Sequence, residues 1–371
     1  MNKVCSTDNN DSALEKNNMN DMNSMNDTNG MNDTNSMNDT NSCDHKDSYG
    51  RTIDYLRISV TDRCNLRCIY CMPRDIVPLP HAEILRFEEI EQIAAAAAES
   101  GIRYLKVTGG EPLVRKGCPE LIRKLKQIPG IERVTLTTNG VLLAGLLPEL
   151  QAAGTDCVNI SIDTLNRGKY AAVTGQDVLP AVMDGFRACI AAGIRTKVNV
   201  TVTEQTTEED ILALTELAHT TPADVRFIEM MPIGCGAGFA AVDNRRIFQY
   251  LQERFPGMAW ETSCRMHGPG PASYAAVPGF SGSIGFISAV HTPFCAECRR
   301  LRLTSTGMLK FCLCYEDGID LRQILRGDPG ADPRQALSAA FAEARRRKPL
   351  QHCFAERKNI TETRPMTEIG G

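Results

Sequence analysis

Between residues 55 and 231 the chain alternates short runs of branched and apolar residues with longer runs whose apolar positions recur at helical spacing. Extended runs are expected at 55–60, 104–108, 133–138, 157–162, 196–202 and 224–231, and helices at 87–100, 119–128, 142–153, 178–192 and 207–219. Gly101, Gly154 and Gly193 stand just past three of the helices, where a left-handed cap belongs. A helix between every two strands is the crossover that parallel neighbours need. The expected fold is therefore α/β, a partial (β/α)6 TIM-like barrel, because six units fall short of the eight that close such a barrel. In this architecture functional side chains collect just past the carboxyl ends of the strands.

The first strand leads into Cys64, Asn65, Leu66, Arg67, Cys68, Ile69, Tyr70 and Cys71, a C-x3-C-x2-C run. Three thiolates at this spacing can hold three irons of a four-iron cluster and leave the fourth open for a ligand. A closed zinc knot is the alternative, with His81 or Cys118 as the nearest downstream fourth ligand. The second strand leads into Gly109, Gly110, Glu111 and Pro112, where missing side chains admit a ligand to the backbone or make an ordinary turn. Thr137 to Gly140, Ser161 to Asp163 and Glu229 to Met231 follow later strands; from the residues alone, turn chemistry and core packing account for each.

After Pro232 the repeat gives way to Gly- and Pro-rich chain, so a smaller C-terminal α+β module is expected over 232–371, with a helix near 243–254 and extended chain near 283–289. It carries a second trio, Cys295, Cys298 and Cys312, in a C-x2-C-x13-C pattern. A zinc site completed by Cys314, His291 or Cys353 is the structural alternative. Arg299, Arg300, Leu301, Arg302, Leu303 and Thr304 follow Cys298; on a strand Arg300 and Arg302 share one face, a pair suited to a triphosphate or purine. Arg57, Lys106, Lys197 and Arg226 fall on four expected strands. Each alone reads as a snorkelling surface residue; turned into a barrel, each is costly without a polyanion.

Residues 1–50 hold nine acidic and three basic side chains, a net of −6, so the other 321 residues carry −4 minus −6, or +2. This Asn-rich arm, with the hexamers MNDTNG, MNDTNS and MNDTNS over 25–42, lacks the apolar residues to offset its ordering entropy and is expected to be disordered. Cys5, Cys43 and His45 lie in it, poorly placed to fix a ligand geometry. The near-neutral body gives no reason to expect nucleic-acid or membrane binding. No apolar run reaches a membrane span, no export signal is visible, and six of the 15 cysteines cluster at metal spacings. A cytoplasmic, reducing setting is expected. Cys118, Cys157, Cys189, Cys235 and Cys264 read as incidental thiols.

The C-x3-C-x2-C run with an aromatic before its last Cys, followed by Gly-Gly-Glu-Pro, resembles the radical S-adenosylmethionine (SAM) superfamily. With the second trio, the Arg-Arg-Leu-Arg-Leu-Thr run and the terminal Gly370 and Gly371, the sequence from about residue 51 to the end is similar to the GTP 3′,8-cyclase family within it. The resemblance implies two 4Fe-4S clusters, on Cys64, Cys68 and Cys71 and on Cys295, Cys298 and Cys312. It implies SAM contacts at Tyr70, Gly110, Ser161 and Met231. It implies GTP contacts at Arg57, Lys106, Thr137, Lys197, Arg226, Arg300, Leu301 and Arg302, with Arg57, Lys197, Arg300 and Arg302 in catalytic roles. Lys106 stands where arginine is commoner in the family, which exchanges a bidentate fork for a point charge. The implied reaction is a radical lyase step: a deoxyadenosyl radical removes the ribose 3′ hydrogen of GTP, and the carbon radical closes onto guanine carbon 8, beginning molybdopterin synthesis. Implied partners are an electron donor and, as a functional partner, the downstream cyclic pyranopterin synthase; a homodimer is also expected. The terminal glycines read either as a frayed tail or as a segment threaded into the active site. A radical SAM peptide-modifying enzyme with an auxiliary cluster is the alternative reading, and a non-catalytic zinc scaffold the alternative from another class.

Overall fold

The computed structural model describes residues 45–262, 267–327 and 332–370. The hexamer repeats, Cys5, Cys43, Cys264 and Gly371 lie outside the described residues. Six parallel strands run in sequence order across the middle of one sheet: β1 (Tyr55–Ser59), β2 (Tyr104–Thr108), β3 (Arg133–Thr138), β4 (Cys157–Ser161), β5 (Thr196–Val202) and β6 (Asp224–Glu229). Between them lie α1 (Phe87–Glu99), α2 (Cys118–Lys126), α3 (Leu143–Ala152), α4 (Arg167–Thr174), α5 (Leu179–Ala191) and α6 (Glu208–Thr220). Expectation and structure agree on these strands and on five of the helices; α4 had no expected counterpart.

The two-residue period of the strands sorts their side chains. Leu56 and Ile58, Leu105 and Val107, and Val134 and Leu136 are fully buried in the layer between sheet and helices. α1 answers with Ile90, Ile93, Ala94 and Ala97 at helical spacing, all at 0% exposure. Burying one such isoleucine is worth roughly 1.5–3 kcal/mol. The alternate positions, Arg57, Lys106, Thr135 and Thr137, turn to the concave side of the sheet, away from the helices.

The chain beyond residue 231 extends the same sheet at both edges. α7 (Asn244–Arg254) precedes β7 (Ala259–Trp260), β8 (Ser273–Ala276) and β9 (Ile284–Ile287), and β9 pairs parallel with β6. At the opposite edge β10 (Arg300–Leu303) pairs parallel with β1, then antiparallel with β11 (Met308–Lys310), which pairs with β12 (Gly318–Asp320). The twelve strands run from β12 to β7 without meeting, so the barrel stays open, as six units predict. α8 (Leu321–Arg326) and α9 (Pro333–Arg347) pack beside α1, and α10 (Met366–Ile369) ends the described chain.

Structure begins earlier than the expected end of the arm at residue 50. Lys46 forms a β-bridge with Thr52, and the buried Asp47 carboxylate accepts from Arg51 Nε at 2.6 Å. The other Arg51 nitrogens donate to the carbonyls of Cys295, Pro349 and Leu350, all between 2.7 and 2.8 Å, so this short segment braces the second cysteine loop. Among the described residues no helix is long and apolar enough to cross a membrane.

Candidate active site

The loop after β1 brings Cys64, Cys68 and Cys71 to the mouth of a cavity of about 270 Å³ on the concave side of the sheet. α4 holds that loop in place: Arg67 N donates to Thr174 O at 2.8 Å, and Ile69 N to Val173 O at 3.0 Å. From the other side, Gly110 N donates to Thr61 O at 2.6 Å and Glu111 N to Arg63 O at 2.7 Å. A Cβ on Gly110 would collide with the Arg63 carbonyl, and one on Gly109 would stand 2.8 Å from Thr61 O. The glycine pair therefore admits the chain's own cysteine loop to close backbone contact. Gly110 keeps one edge on the cavity.

Burial, then the field of Cys71, pushes the Cys68 thiol well above its ordinary range; burial also drives Cys71 up to about 12. Thiols held this far up ionise and become ligands when a metal centre binds them as thiolates. Four sulfurs on one zinc at 2.3 Å would sit ~3.8 Å apart. Among the described residues, the group of three metal-binding side chains whose ligand atoms all lie within 4.8 Å is Glu229, Asp243 and His291; neither cysteine trio is that tight. The donor sets are thus too splayed for one zinc ion and suit a larger iron-sulfur cube.

The second trio, Cys295, Cys298 and Cys312, borders β10 and β11, and Cys298 lines a hollow of about 860 Å³. Burial works against ionisation at Cys298, yet Arg300 and the buried Lys348 overcome it and hold the thiol down to about 6. Lys348 is fixed by the carbonyls of Arg300 at 2.8 Å and Phe311 at 2.9 Å. Each residue weighed as a fourth zinc ligand has its own partner: Cys314 lies 3.0 Å from Cys353, sulfur to sulfur, and His291 Nδ1 lies 3.1 Å from Glu229.

Between the two trios runs a band of cations. Register places Arg302 of β10, Arg57 of β1 and Lys106 of β2 side by side, and all three line the 270 Å³ cavity with Arg226 and Arg300. Adjacent strands are only ~4.8 Å apart, so this row is strongly self-repelling. Burial, then Tyr55 in opposition and Arg300 and Arg226 in support, brings Arg57 down to about 10; burial, then Arg226 and Arg57, lowers Lys106 well below its usual range. Arg57 Nε, Arg226 Nε and Thr137 Oγ1 are buried and find no hydrogen-bond partner among the described residues. Arg226 is otherwise pinned by the side-chain oxygens of Asn159 and Asn199, each at 2.5 Å. Arg300 lines both this cavity and the hollow beside Cys298, which links the two trios.

Tyr70, Ser161 and Met231 line the same cavity, with the Tyr70 hydroxyl donating to Asp163 at 2.5 Å. Lys197 lies in an adjoining hollow of about 290 Å³ that shares Lys106 and Arg226. Its Nζ is already engaged, by His267 O at 2.6 Å, Tyr274 Oη at 2.8 Å and Asp224 at 3.2 Å. Leu301 is a correction: its side chain is fully buried on the opposite face of β10, in the core shared with the helices, so it lines none of the three hollows. The C-terminal chain also enters. Met366 and Thr367 line the cavity, and the Gly370 carbonyl accepts from Arg302 Nη1 at 2.9 Å. Gly370 has φ +76°, and a Cβ there would press on Ser59 at 3.2 Å, so glycine fits both the turn and the space.

Residues 58–218 match the family described as Radical SAM superfamily, and residues 223–354 the one described as Molybdenum Cofactor Synthesis C. A GTP 3′,8-cyclase of Clostridium perfringens is 40% identical over 328 residues, 88% of this chain and 100% of that protein. One from Heliobacterium modesticaldum is 44% identical over 334 residues, 88% and 99% of the two chains. The chain belongs to the GTP 3′,8-cyclase family. Among solved structures, Streptococcus suis SuiB bound to precursor peptide SuiA gives a TM-score of 0.56 at 14% identity, covering 81% of this chain and 67% of that one, a likeness of fold. As a member of this family the chain is a radical SAM enzyme with iron-sulfur and SAM chemistry.

Sequence reasoning missed several residues that build the site. Asp163, which follows β4 and carries no motif of its own, anchors Tyr70 and accepts from Thr201 N at 2.8 Å. Lys348, Arg51 and His267 lie in stretches with no motif, and only their place next to another chain segment gives them a part. The signal for α4 was present in Asn166, which caps the helix by accepting from Lys169 N at 3.0 Å, and in Gly175 beyond its end.

Proposed function

We propose that this chain converts GTP to 3′,8-cyclo-7,8-dihydro-GTP, the first step of molybdenum cofactor biosynthesis. The observation that carries the reading is the half-buried row Arg302, Arg57 and Lys106, joined by the buried Arg226 and by Arg300 around one cavity. Like charges lining one cavity, with the buried Nε atoms of Arg57 and Arg226 unpartnered among the described residues, call for a polyanion, and a triphosphate supplies it. Relatives named GTP 3′,8-cyclase support the substrate.

Residues 51–231 would hold one cluster on Cys64, Cys68 and Cys71 and SAM against Tyr70, Gly110, Ser161 and Met231. Residues 232–371 would hold the second cluster on Cys295, Cys298 and Cys312 and supply the tail. Held on Cys64, Cys68 and Cys71, the first cluster would supply the one-electron chemistry that activates SAM toward the ribose 3′ hydrogen, and a second cluster on Cys295, Cys298 and Cys312 would supply a ligand site for the purine. The chain's own residues bind, orient and exclude water. Arg57, Lys106, Arg226, Arg300 and Arg302 neutralise the phosphates, and Thr137 offers an unpaired hydroxyl in the same cavity. Lys197, held through Asp224, His267 and Tyr274, adds its charge from the adjoining hollow. The Gly370 carbonyl fixes one arm of Arg302 and leaves the rest of its guanidinium to the ligand. An external one-electron donor, hand-over of product to cyclic pyranopterin synthase, a homodimeric state and a cytoplasmic location complete the proposal.

The test is anaerobic turnover of the cluster-loaded chain with SAM, dithionite and GTP deuterated at ribose carbon 3′. Deuterium in 5′-deoxyadenosine together with a cyclised guanosine product is the expected result. Deoxyadenosine free of deuterium and unchanged GTP would overturn the assignment.

A further inference from the structure

We propose that Cys314 and Cys353 form a dithiol that small disulfides oxidise to an intrachain disulfide, fastening the C-terminal segment to the loop that carries Cys312. The Sγ atoms are 3.0 Å apart across 39 residues of sequence, and Cys353 N donates to Cys314 Sγ at 3.4 Å. Non-bonded heavy atoms ordinarily rest ~3.5–4.0 Å apart, so the sulfurs are already pressed together. An approach of about 1 Å makes the bond, whose length is about 2.0 Å.

Neither cysteine belongs to the two trios of the site, and no catalytic role occupies them. Both sit in a small apolar cluster apart from the main core, with Ile233, Leu313, Phe354 and Ile369, and with Met231 and Met366 packed against it. That cluster joins three things: the chain leaving β6, the loop after β11 and the segment that delivers Gly370 to Arg302. A covalent link at this point ties the tail to the second trio's loop, beside hydrogen bonds that already cross there, Glu362 N donating to Cys314 O at 3.2 Å and Glu316 N to Thr361 Oγ1 at 2.9 Å.

Cys314 is fully buried and Cys353 half-buried, so a reagent meets Cys353 first. The Cys353 thiol gives up its proton and attacks one sulfur of a small disulfide, expelling one thiolate and leaving a mixed disulfide. Cys314, in contact with that sulfur, gives up its proton and displaces the second thiolate. One reagent S–S bond and two protein S–H bonds are exchanged for one protein S–S bond and two reagent thiols. The dithiol is oxidised and the reagent reduced by two electrons, and the reaction holds whatever the cavity binds.

The cluster-loaded chain is exposed anaerobically to oxidised glutathione, quenched in acid, alkylated, digested with trypsin and read by mass spectrometry. The expected product is the peptide 311–322 joined to 348–357 through Cys314 and Cys353, with Cys312 alkylated, in roughly half of the chains or more. Iron content stays unchanged, and Cys353→Ser, at the half-buried position, abolishes the cross-link while keeping its iron. Recovery of both cysteines alkylated at full iron content would overturn the proposal. So would a cross-link through Cys312 accompanied by loss of iron, since that would make Cys314 a bystander of cluster decay.

Discussion

Lys197 shows how one side chain carries both a cost and a use. Burial, then the field of Arg226, brings it from an ordinary 10.5 down to about 8, while Asp224 pulls the other way. The folded chain therefore binds fewer protons than the unfolded one between about 8 and 10.5, so the cost to stability is complete below about 8 and is relieved as pH rises through that window. Polyanion binding has the opposite sense, because the ammonium is charged below about 8 and neutral above it. The KM for GTP is expected to rise about tenfold between roughly pH 7 and 9.5, the worth of one charged hydrogen bond. Lys197→Arg should flatten that profile; an unchanged slope in the variant would place the titrating group elsewhere. Gly110 carries a second residue-scale prediction. Its Cβ would strike the Arg63 carbonyl and move the cysteine loop, so Gly110→Ala should lose roughly half of the reconstituted iron, one four-iron cluster of two. Iron and sulfide analysis checks it, and full iron content would contradict the packing role.

At the scale of elements, β10 and the tail act as a pair. β10 presents Arg300 and Arg302 to the cavity and Leu301 and Leu303 to the core, and α10 ends with Gly370 against Arg302. Removing Gly370 and Gly371 takes away the carbonyl that fixes Arg302 and leaves α10 in place. Cyclisation kcat should fall at least ~10-fold with a smaller change in KM, because orientation is lost more than charge. Equal kcat in full-length and shortened chains would return the tail to a frayed end. The alternation in 300–303 made the two-faced strand readable in advance, and the same period should have excluded Leu301 from the cavity. What sequence did not carry was position across the sheet. That β10 would lie beside β1, setting Arg302 next to Arg57, depends on the chain returning to an edge 245 residues later (302 − 57). No local pattern encodes such a pairing.

For the molecule as a whole, local periodicity determined the parallel core and its order, because each β/α unit closes on its neighbour. The C-terminal segment was expected as a smaller α+β module; its strands also continue both edges of the sheet and bring Arg300 and Arg302 to the cavity that the first trio lines. The cations were visible as residues on four strands, while their convergence on adjoining hollows became evident only with the fold. The row of Arg302, Arg57 and Lys106 is then the feature that most needs an explanation, since nothing among the described residues neutralises it from within the cavity except Glu111 and Glu229. Those two carboxylates are already spent on backbone N–H groups. The most direct measurement is anaerobic equilibrium binding of GTP and of guanosine to the cluster-loaded chain. GTP should bind at least ~100-fold more tightly than guanosine, two charge-assisted contacts or more, and Arg57→Ala should erase most of that difference. Equal affinity for GTP and guanosine would contradict a cavity built to hold a triphosphate.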